Sequence, residues 1–330
     1  MEHAVSVIVC ARDEADDIEV NLPGLLVQTY KSTHEVVVVN DNSNDDTKYL
    51  LEGLYKQFKQ LHIVELKQEA VHIPGKKFPL SMGIKSAKYE LLILTDADCI
   101  PASEHWMKKM QDAFTPGIEI VLGYGAFKKK SGLLNKIVRF DAFHTAIQYL
   151  SSAIAGNAYM GVGRNLAYKK ELFFRHKGFA KHHHLSGGDD DLFINGAATA
   201  KNTAVVIDQD AFTYSSTPAS WDKWLAQKAR HNAAGKYYKA KDRIRLGAYI
   251  VSHFLYYPLF IATLLTFDWR WVVGIYLCRL LTQAVIFGFS MKKLSESDLL
   301  PFFLLWDIWM FFYYLFFSSS LWKKPKTQWS

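Results

Sequence analysis

Asp96-Ala97-Asp98 closes an apolar run, Leu91-Leu92-Ile93-Leu94-Thr95, that reads as a buried parallel strand. Two carboxylates at i and i+2, where a strand gives way to a turn, can both reach a hard divalent cation. Alternatively one takes the metal and the other a ribose hydroxyl. Ligands of open α/β sheets bind at the carboxyl ends of the strands. The competing reading is a strand end with two solvated capping acids, so the decision rests on what else the chain supplies.

It supplies five more polar clusters in a fixed order. Ala11-Arg12-Asp13-Glu14 follows a first apolar run. A second run leads into Asn40-Asp41-Asn42-Ser43-Asn44-Asp45-Asp46-Thr47, a polar turn suited to a nucleotide base and ribose. Pro74-Gly75-Lys76-Lys77 opens a helix ahead of the Asp-x-Asp strand. Far downstream come Gly187-Gly188-Asp189-Asp190-Asp191-Leu192 and Gln227-Lys228-Ala229-Arg230-His231. His182-His183-His184 stands before the acidic stretch, but consecutive histidines lack ligand spacing, so a loop is expected there rather than a metal site.

The elements that must position these residues alternate. Strands are predicted at 5–10, 35–40, 62–66 and 90–95, and helices at 15–28, 46–60 and 77–86. Strand–helix–strand repetition with near-continuous Val/Ile/Leu strands predicts an α/β, doubly wound, Rossmann-like parallel sheet. A helix at 103–114 with Ser103 as N-cap follows, then strands at 118–123 and 203–207.

The tail changes character. Segments 246–267, 269–291 and 299–322 are each long enough to cross a bilayer, which takes roughly 20 residues. Trp269, Trp271 and Trp322 stand near their ends as interfacial anchors. Arg279 and Asp307 interrupt the apolar stretches and are predicted to pair, because lone charges there are costly. Three full crossings would set Lys323-Lys324-Pro325-Lys326 on the face opposite the catalytic domain, against the positive-inside tendency, so a third segment that lies in the interface or re-enters near Pro301 and Asp307 stays open. The organisation read from this is a domain over 1–240, with halves 1–125 and 126–240, and C-terminal transmembrane helices over 246–322.

Composition narrows the class. Of 330 residues, 50% are hydrophobic, and the 15% that are aromatic concentrate in the last third. Lys and Arg exceed Asp and Glu by 39 to 32, a modest excess that suits an anionic bilayer face or an anionic substrate. The positive residues are scattered and accompany no nucleic-acid-binding motif, so no nucleic acid is expected as partner. Cys10, Cys99 and Cys278 are far apart and form neither a disulfide framework nor a zinc pattern, which fits a reducing compartment. The first apolar run is too short for a signal-peptide core, and the catalytic part is expected in the cytoplasm of a multi-pass cell-membrane protein.

In order and spacing these motifs resemble the family 2 glycosyltransferases, which have the GT-A fold. The resemblance covers about residues 4–235, with Asp13 where the family often has Asn and Asn40-Asp41-Asn42 in place of Asp-Asp-Gly. It implies a nucleotide-sugar donor, a UDP-sugar in most relatives, contacted by Ala11, Asp13, Glu14 and Asp41. It implies Mg²⁺ or Mn²⁺ on Asp98, with Asp96 on the ribose or the metal, and Lys77 or Lys76 near the diphosphate. In the Gly-Glu-Asp register Asp190 is the general base and Asp189 takes the Glu position; matching on Leu192 makes Asp189 the base. Distance to the following strand favours Asp190. Gln227-x-x-Arg230-His231 resembles the family's Gln-x-x-Arg-Trp motif at the membrane face, with His for Trp, implying contacts to donor diphosphate and acceptor. Gly161-Val162-Gly163-Arg164-Asn165-Leu166-Ala167-Tyr168 resembles a small-residue strand flanking the acceptor cleft.

The implied activity is an inverting, metal-dependent transfer to a lipid or glycan acceptor at the cytosolic face of the bilayer. A processive polysaccharide synthase is the alternative within the class. A nucleotidyltransferase is the alternative outside it, although Arg12-Asp13-Glu14 does not supply the Gly-rich basic loop such enzymes carry.

Overall fold

The computed structural model describes residues 2–67 and 73–318. Within them the chain forms two compact units, one ending at Trp224 and the other beginning at Leu225.

The first unit is α/β. Strands β1 (Val5–Ala11), β2 (His34–Asp41), β3 (Leu61–Leu66) and β4 (Leu91–Asp96) run parallel in the order β3-β2-β1-β4. All of β1 and nearly all of β2 are buried, which is why both read as unbroken Val-rich runs. A strand covered on both faces has no polar side to alternate with. Helices α1 (Ala15–Leu26) and α2 (Thr47–Gln57) cover one face, where Ile18, Leu22, Leu25 and Leu51 join Val7, Val9, Val36 and Val38 in one apolar cluster. The other face carries α3 (Lys77–Ser86). At Gly83 an added Cβ would stand 2.8 Å from Ile8 and 2.9 Å from Val39, so the absence of a side chain lets α3 lie directly on the sheet.

Past β4 the pattern departs from simple winding. The remaining strands are short: β5 (Cys99–Pro101), β6 (Ile120–Leu122), β7 (Gly125–Phe127), β8 (Leu166–Lys169), β9 (Thr203–Val205) and β10 (Thr213–Ser215). β8 inserts antiparallel between β4 and β6, and β9 closes the sheet beside β6. β5, β10 and β7 form a second, three-stranded sheet. The helices here are α4 (Trp106–Asp112), α5 (Leu133–Ile154), α6 (Lys170–Arg175) and α7 (Asp191–Ala197). The helix expected from Ser103 starts later, because the Ser103 hydroxyl is engaged by the His105 amide at 3.0 Å and closes a preceding turn.

Helix α8 (Trp221–Ala234) carries the chain into the second unit, which contains α9 (Ala240–Thr266), α10 (Trp269–Lys293) and α11 (Phe303–Ser318). These last three, with the 3-10 turn Ser297–Phe302 leading into α11, are long and apolar enough to cross a membrane, and protein covers little of α9 or α10. Trp322 and Lys323-Lys324-Pro325-Lys326 lie outside the described residues. As the sequence predicts, Arg279 meets Asp307, in a bidentate pair with both contacts at 2.7 Å. Asp307 also accepts from Gln283 at 2.9 Å and from the Tyr257 hydroxyl at 2.5 Å, while Arg279 stacks 4.1 Å over the Tyr256 ring. One carboxylate, 1% exposed, thus ties α11 to both α9 and α10.

Removing one partner leaves a buried charge uncompensated, a loss of about 3–5 kcal/mol in soluble proteins. Arg279→Met and Asp307→Leu are therefore each expected to reduce the yield of monodisperse protein in detergent and its melting temperature. The double substitution should recover much of both, because it removes both charges together.

Candidate active site

Strand register brings the polar clusters to one edge. Ala11 pairs with Asn40, Cys10 with Asp96, and Asp41 with Leu66, so β1, β2 and β4 end level. Asp96 stands between β4 and β1, where the connection order reverses and a crevice opens at the strand ends.

The turns after β1 and β2 are stapled together. The Asp13 amide donates to Ser43 Oγ at 3.0 Å, and the Asn44 amide donates to Asp13 Oδ1 at 2.6 Å. The Glu14 amide reaches Thr47 Oγ1 at 3.1 Å, and the Ala15 amide reaches Asp45 Oδ2 at 3.0 Å. Asp13 and Asn42 both sit at positive φ, 53° and 54°, where Asp and Asn are the best tolerated residues after glycine. Asp41 is buried, with the Arg12 guanidinium 4.0 Å away and the Asn42 amide donating to it at 3.1 Å.

Asp96, Asp98 and Cys99 bring their ligand atoms within 4.8 Å of one another. The Cys99 thiol donates to Asp98 Oδ1 at 3.3 Å, and burial, then the neighbouring Asp98 and Asp96, push it well above its usual range. Cys99 thus acts as a protonated donor to Asp98. The Asp96 and Asp98 carboxylates are hard oxygen donors, of the kind that suits Mg²⁺ or Mn²⁺. Burial, then Asp96, lift Asp98 to about 6, with Arg164 acting against them. The Lys76 ammonium pairs with Asp96. Glu14 is pushed up to about 8 by burial and then by Asp96, and its Oε2 is buried with no hydrogen-bond partner.

The acidic stretch opens α7. Asp190 caps the helix, accepting from the Asp191 amide at 2.7 Å through Oδ1 and from the Gly163 amide at 2.8 Å through Oδ2. Asp189 is lifted to about 6 by burial and then by Asp190, while Lys76 and Lys77 pull it down. Asp190 is itself raised by burial, with Asp96 among the charges it feels. The acidic stretch and the Asp-x-Asp turn therefore share one electrostatic environment.

Several positions differ from the sequence reading. Of Lys77 and Lys76, either of them expected near the diphosphate, Lys77 is 1% exposed and donates to Leu185 O at 2.7 Å and to Gly187 O, whereas Lys76 reaches a carboxylate. Lys76 caps α3 and Lys77 begins it, so the two side chains leave the turn in different directions. The stretch from Gly161 is not a strand until Leu166. A 3-10 turn, Gly163–Asn165, comes first and aims the Gly163 amide at Asp190. Arg164, which the sequence did not single out, lies 4.1 Å over the Phe127 ring and donates to Ser215 Oγ at 2.8 Å. Its carbonyl accepts from the Thr95 and Thr213 hydroxyls, both at 2.9 Å. Among the described residues no histidine belongs to a group of three metal-ligating side chains. Gln227, Arg230 and His231 lie on the part of α8 that belongs to the second unit.

Asp189 ionises near 3.8 when free and near 6 when folded, so the folded chain holds that proton more tightly than the unfolded chain. The charged carboxylate therefore opposes folding above about pH 6, less so as pH falls, and not at all below about pH 4. Asp189→Asn is expected to melt several degrees above wild type at about pH 8, with the difference vanishing toward about pH 4. Thermal denaturation in detergent across that range checks it.

Residues 6–175, just over half of the chain, match the family described as Glycosyl transferase family 2. Glycosyltransferase AglE of Haloferax volcanii is 30% identical over 193 residues, covering 56% of this chain and 58% of that protein. Poly-beta-1,6-N-acetyl-D-glucosamine synthase of Staphylococcus aureus is 28% identical over 134 residues, covering 40% of this chain and 31% of that one. The aligned region thus spans less than two thirds of either relative's length. Mannosyltransferase PcManGT from Pyrobaculum calidifontis, in complex with GDP-Man and Mn²⁺, superposes with a TM-score of 0.60 at 19% identity, covering 94% of this chain and 88% of that chain. That likeness shows a shared GT-A fold. By the family match over residues 6–175, more than half of its length, the chain belongs to glycosyl transferase family 2.

Proposed function

We propose that this protein is a membrane-anchored, metal-dependent, inverting glycosyltransferase that moves a sugar from a nucleotide-sugar, a UDP-sugar, to a lipid or glycan acceptor. α9, α10 and α11 cross the bilayer in this reading, and the α/β unit works on the cytosolic side. The observation that carries it is the convergence of Asp96, Asp98, Lys76 and Asp189 at the end of β4 and the start of α7.

Asp41, Asp13 and Ala11 border the nucleoside. Glu14, protonated at neutral pH and with an unsatisfied oxygen, can donate a hydrogen bond to the base or ribose. Asp96 and Asp98 would hold Mg²⁺ or Mn²⁺, which supplies Lewis-acid stabilisation of the departing nucleoside diphosphate. The Mn²⁺ bound by the Pyrobaculum mannosyltransferase supports this choice. Lys76, beside Asp96, adds positive charge at the same end of the site.

The acceptor hydroxyl must lose its proton as it attacks the anomeric carbon. Of the two registers open in the sequence, we assign the general base to Asp189. Both oxygens of Asp190 already accept backbone amides, whereas Asp189 feels the charges of Lys76 and Lys77 and has its pKa lifted to about 6, close to the working range. Attack opposite the leaving diphosphate inverts the anomeric centre in one step, with no covalent enzyme intermediate. The similarity to a polymer synthase supports a second reading, repeated transfer to a growing glycan.

The test is a screen of nucleotide-sugars with the purified full-length chain in detergent and Mn²⁺, reading released nucleoside diphosphate and product length. Asp189→Asn is expected to lower turnover by about 10²–10⁴-fold with donor binding kept. Asp98→Asn should abolish activity at every Mn²⁺ concentration. Turnover should fall as pH drops through about 6, as Asp189 takes up its proton. Release of pyrophosphate from a nucleoside triphosphate would instead establish a nucleotidyltransferase, and a long product a processive synthase.

A further inference from the structure

The Pro74-Gly75-Lys76-Lys77 turn grips two parts of the site at once. Lys76 reaches Asp96 at the end of β4. Its neighbours on either side hold the loop that leads into the acidic stretch. Gly75, at φ +78°, lies so close to that loop that an added Cβ would stand 2.2 Å from Ser186 O. Lys77 sends its ammonium to the carbonyls of Leu185 and Gly187, the residues flanking Ser186. Three consecutive loop residues are thus fixed by one turn, just before Asp189. A buried ammonium is a costly way to fill space, and a methionine would fill it without charge. What the ammonium adds is direction, because two carbonyl oxygens must converge on it.

We propose that Lys77 is a positioning residue, which clasps the Leu185–Gly187 loop onto the start of α3 and so sets Asp189 at a fixed distance from the Asp96–Asp98 carboxylates. This rests on the assignment of Asp189 as the proton acceptor. The donor end and the proton acceptor then answer to one rigid turn, and the base is in place before the acceptor arrives.

The experiment compares wild type, Lys77→Met, Lys77→Arg and Gly75→Ala in the full-length chain in detergent. Two readouts are used: steady-state transfer, and amide hydrogen exchange over residues 185–191. Lys77→Met is expected to lower kcat by about 10–100-fold while the donor KM stays within about twofold. Exchange over 185–191 should quicken. Gly75→Ala should give the same pattern through the backbone contact alone, and Lys77→Arg, which keeps charge and donors, should recover part of kcat. Unchanged exchange and kcat in Lys77→Met overturn the proposal. So does a loss of donor affinity in step with kcat, since Lys77 would then serve the fold as a whole. A wild-type chain that transfers no sugar refutes the proposed function instead, and the exchange measurement then judges the clasp by itself.

Discussion

Crowding of like charge at one sheet edge is the constraint to which the rest of the site responds. Glu14, Asp98 and Asp190 all feel Asp96, and Asp189 feels Asp190, each in a setting that burial has already made unfavourable to charge. The positive groups that oppose them are Lys76, Lys77 and Arg164. Buried charge of one sign must be neutralised, paired or hydrogen-bonded. Each remedy is used once: Glu14 keeps its proton, Asp96 takes Lys76, and Asp190 takes two backbone amides. Asp98 accepts from the Cys99 thiol and feels Asp96, and in the proposed function it would hold the divalent cation.

The sheet register makes this crowding possible. Level strand ends at Ala11, Asp41 and Asp96 follow from the parallel pairing of runs covered on both faces. In such strands a slip of one residue would move every side chain to the other face. The apolar runs thus fix where the acids stand, although they carry no chemistry themselves.

That dependence explains what could be read in advance. The parallel half of the sheet, the Asp-x-Asp turn and the apolar tail were legible because each is encoded locally, by unbroken hydrophobicity ending in polar residues. The Arg279–Asp307 pair was legible because two charges in apolar helices leave each other as the obvious partners. The antiparallel insertion of β8 and the three-stranded second sheet were not, since strands of three or four residues are defined by distant partners and not by their own pattern. Two adjacent choices also escaped the sequence. Whether Lys76 or Lys77 faces the carboxylates depends on where α3 starts, and whether Asp189 or Asp190 is capped depends on where α7 starts. Boundaries of one residue are set by cap geometry, and the cap of Asp190 depends on an amide 27 positions away, at Gly163.

The Asp307 network has a consequence for how the chain is made. Asp307 is synthesised 28 residues after Arg279, so α10 leaves the ribosome with a guanidinium whose counter-ion is still in the exit tunnel. In the proposed membrane arrangement, settling of α10 would be completed only when α11 follows it into the bilayer. Trimming α11 alone would leave Arg279 without Asp307, so a shortened form for crystallography must keep the three helices whole or dispense with all of them.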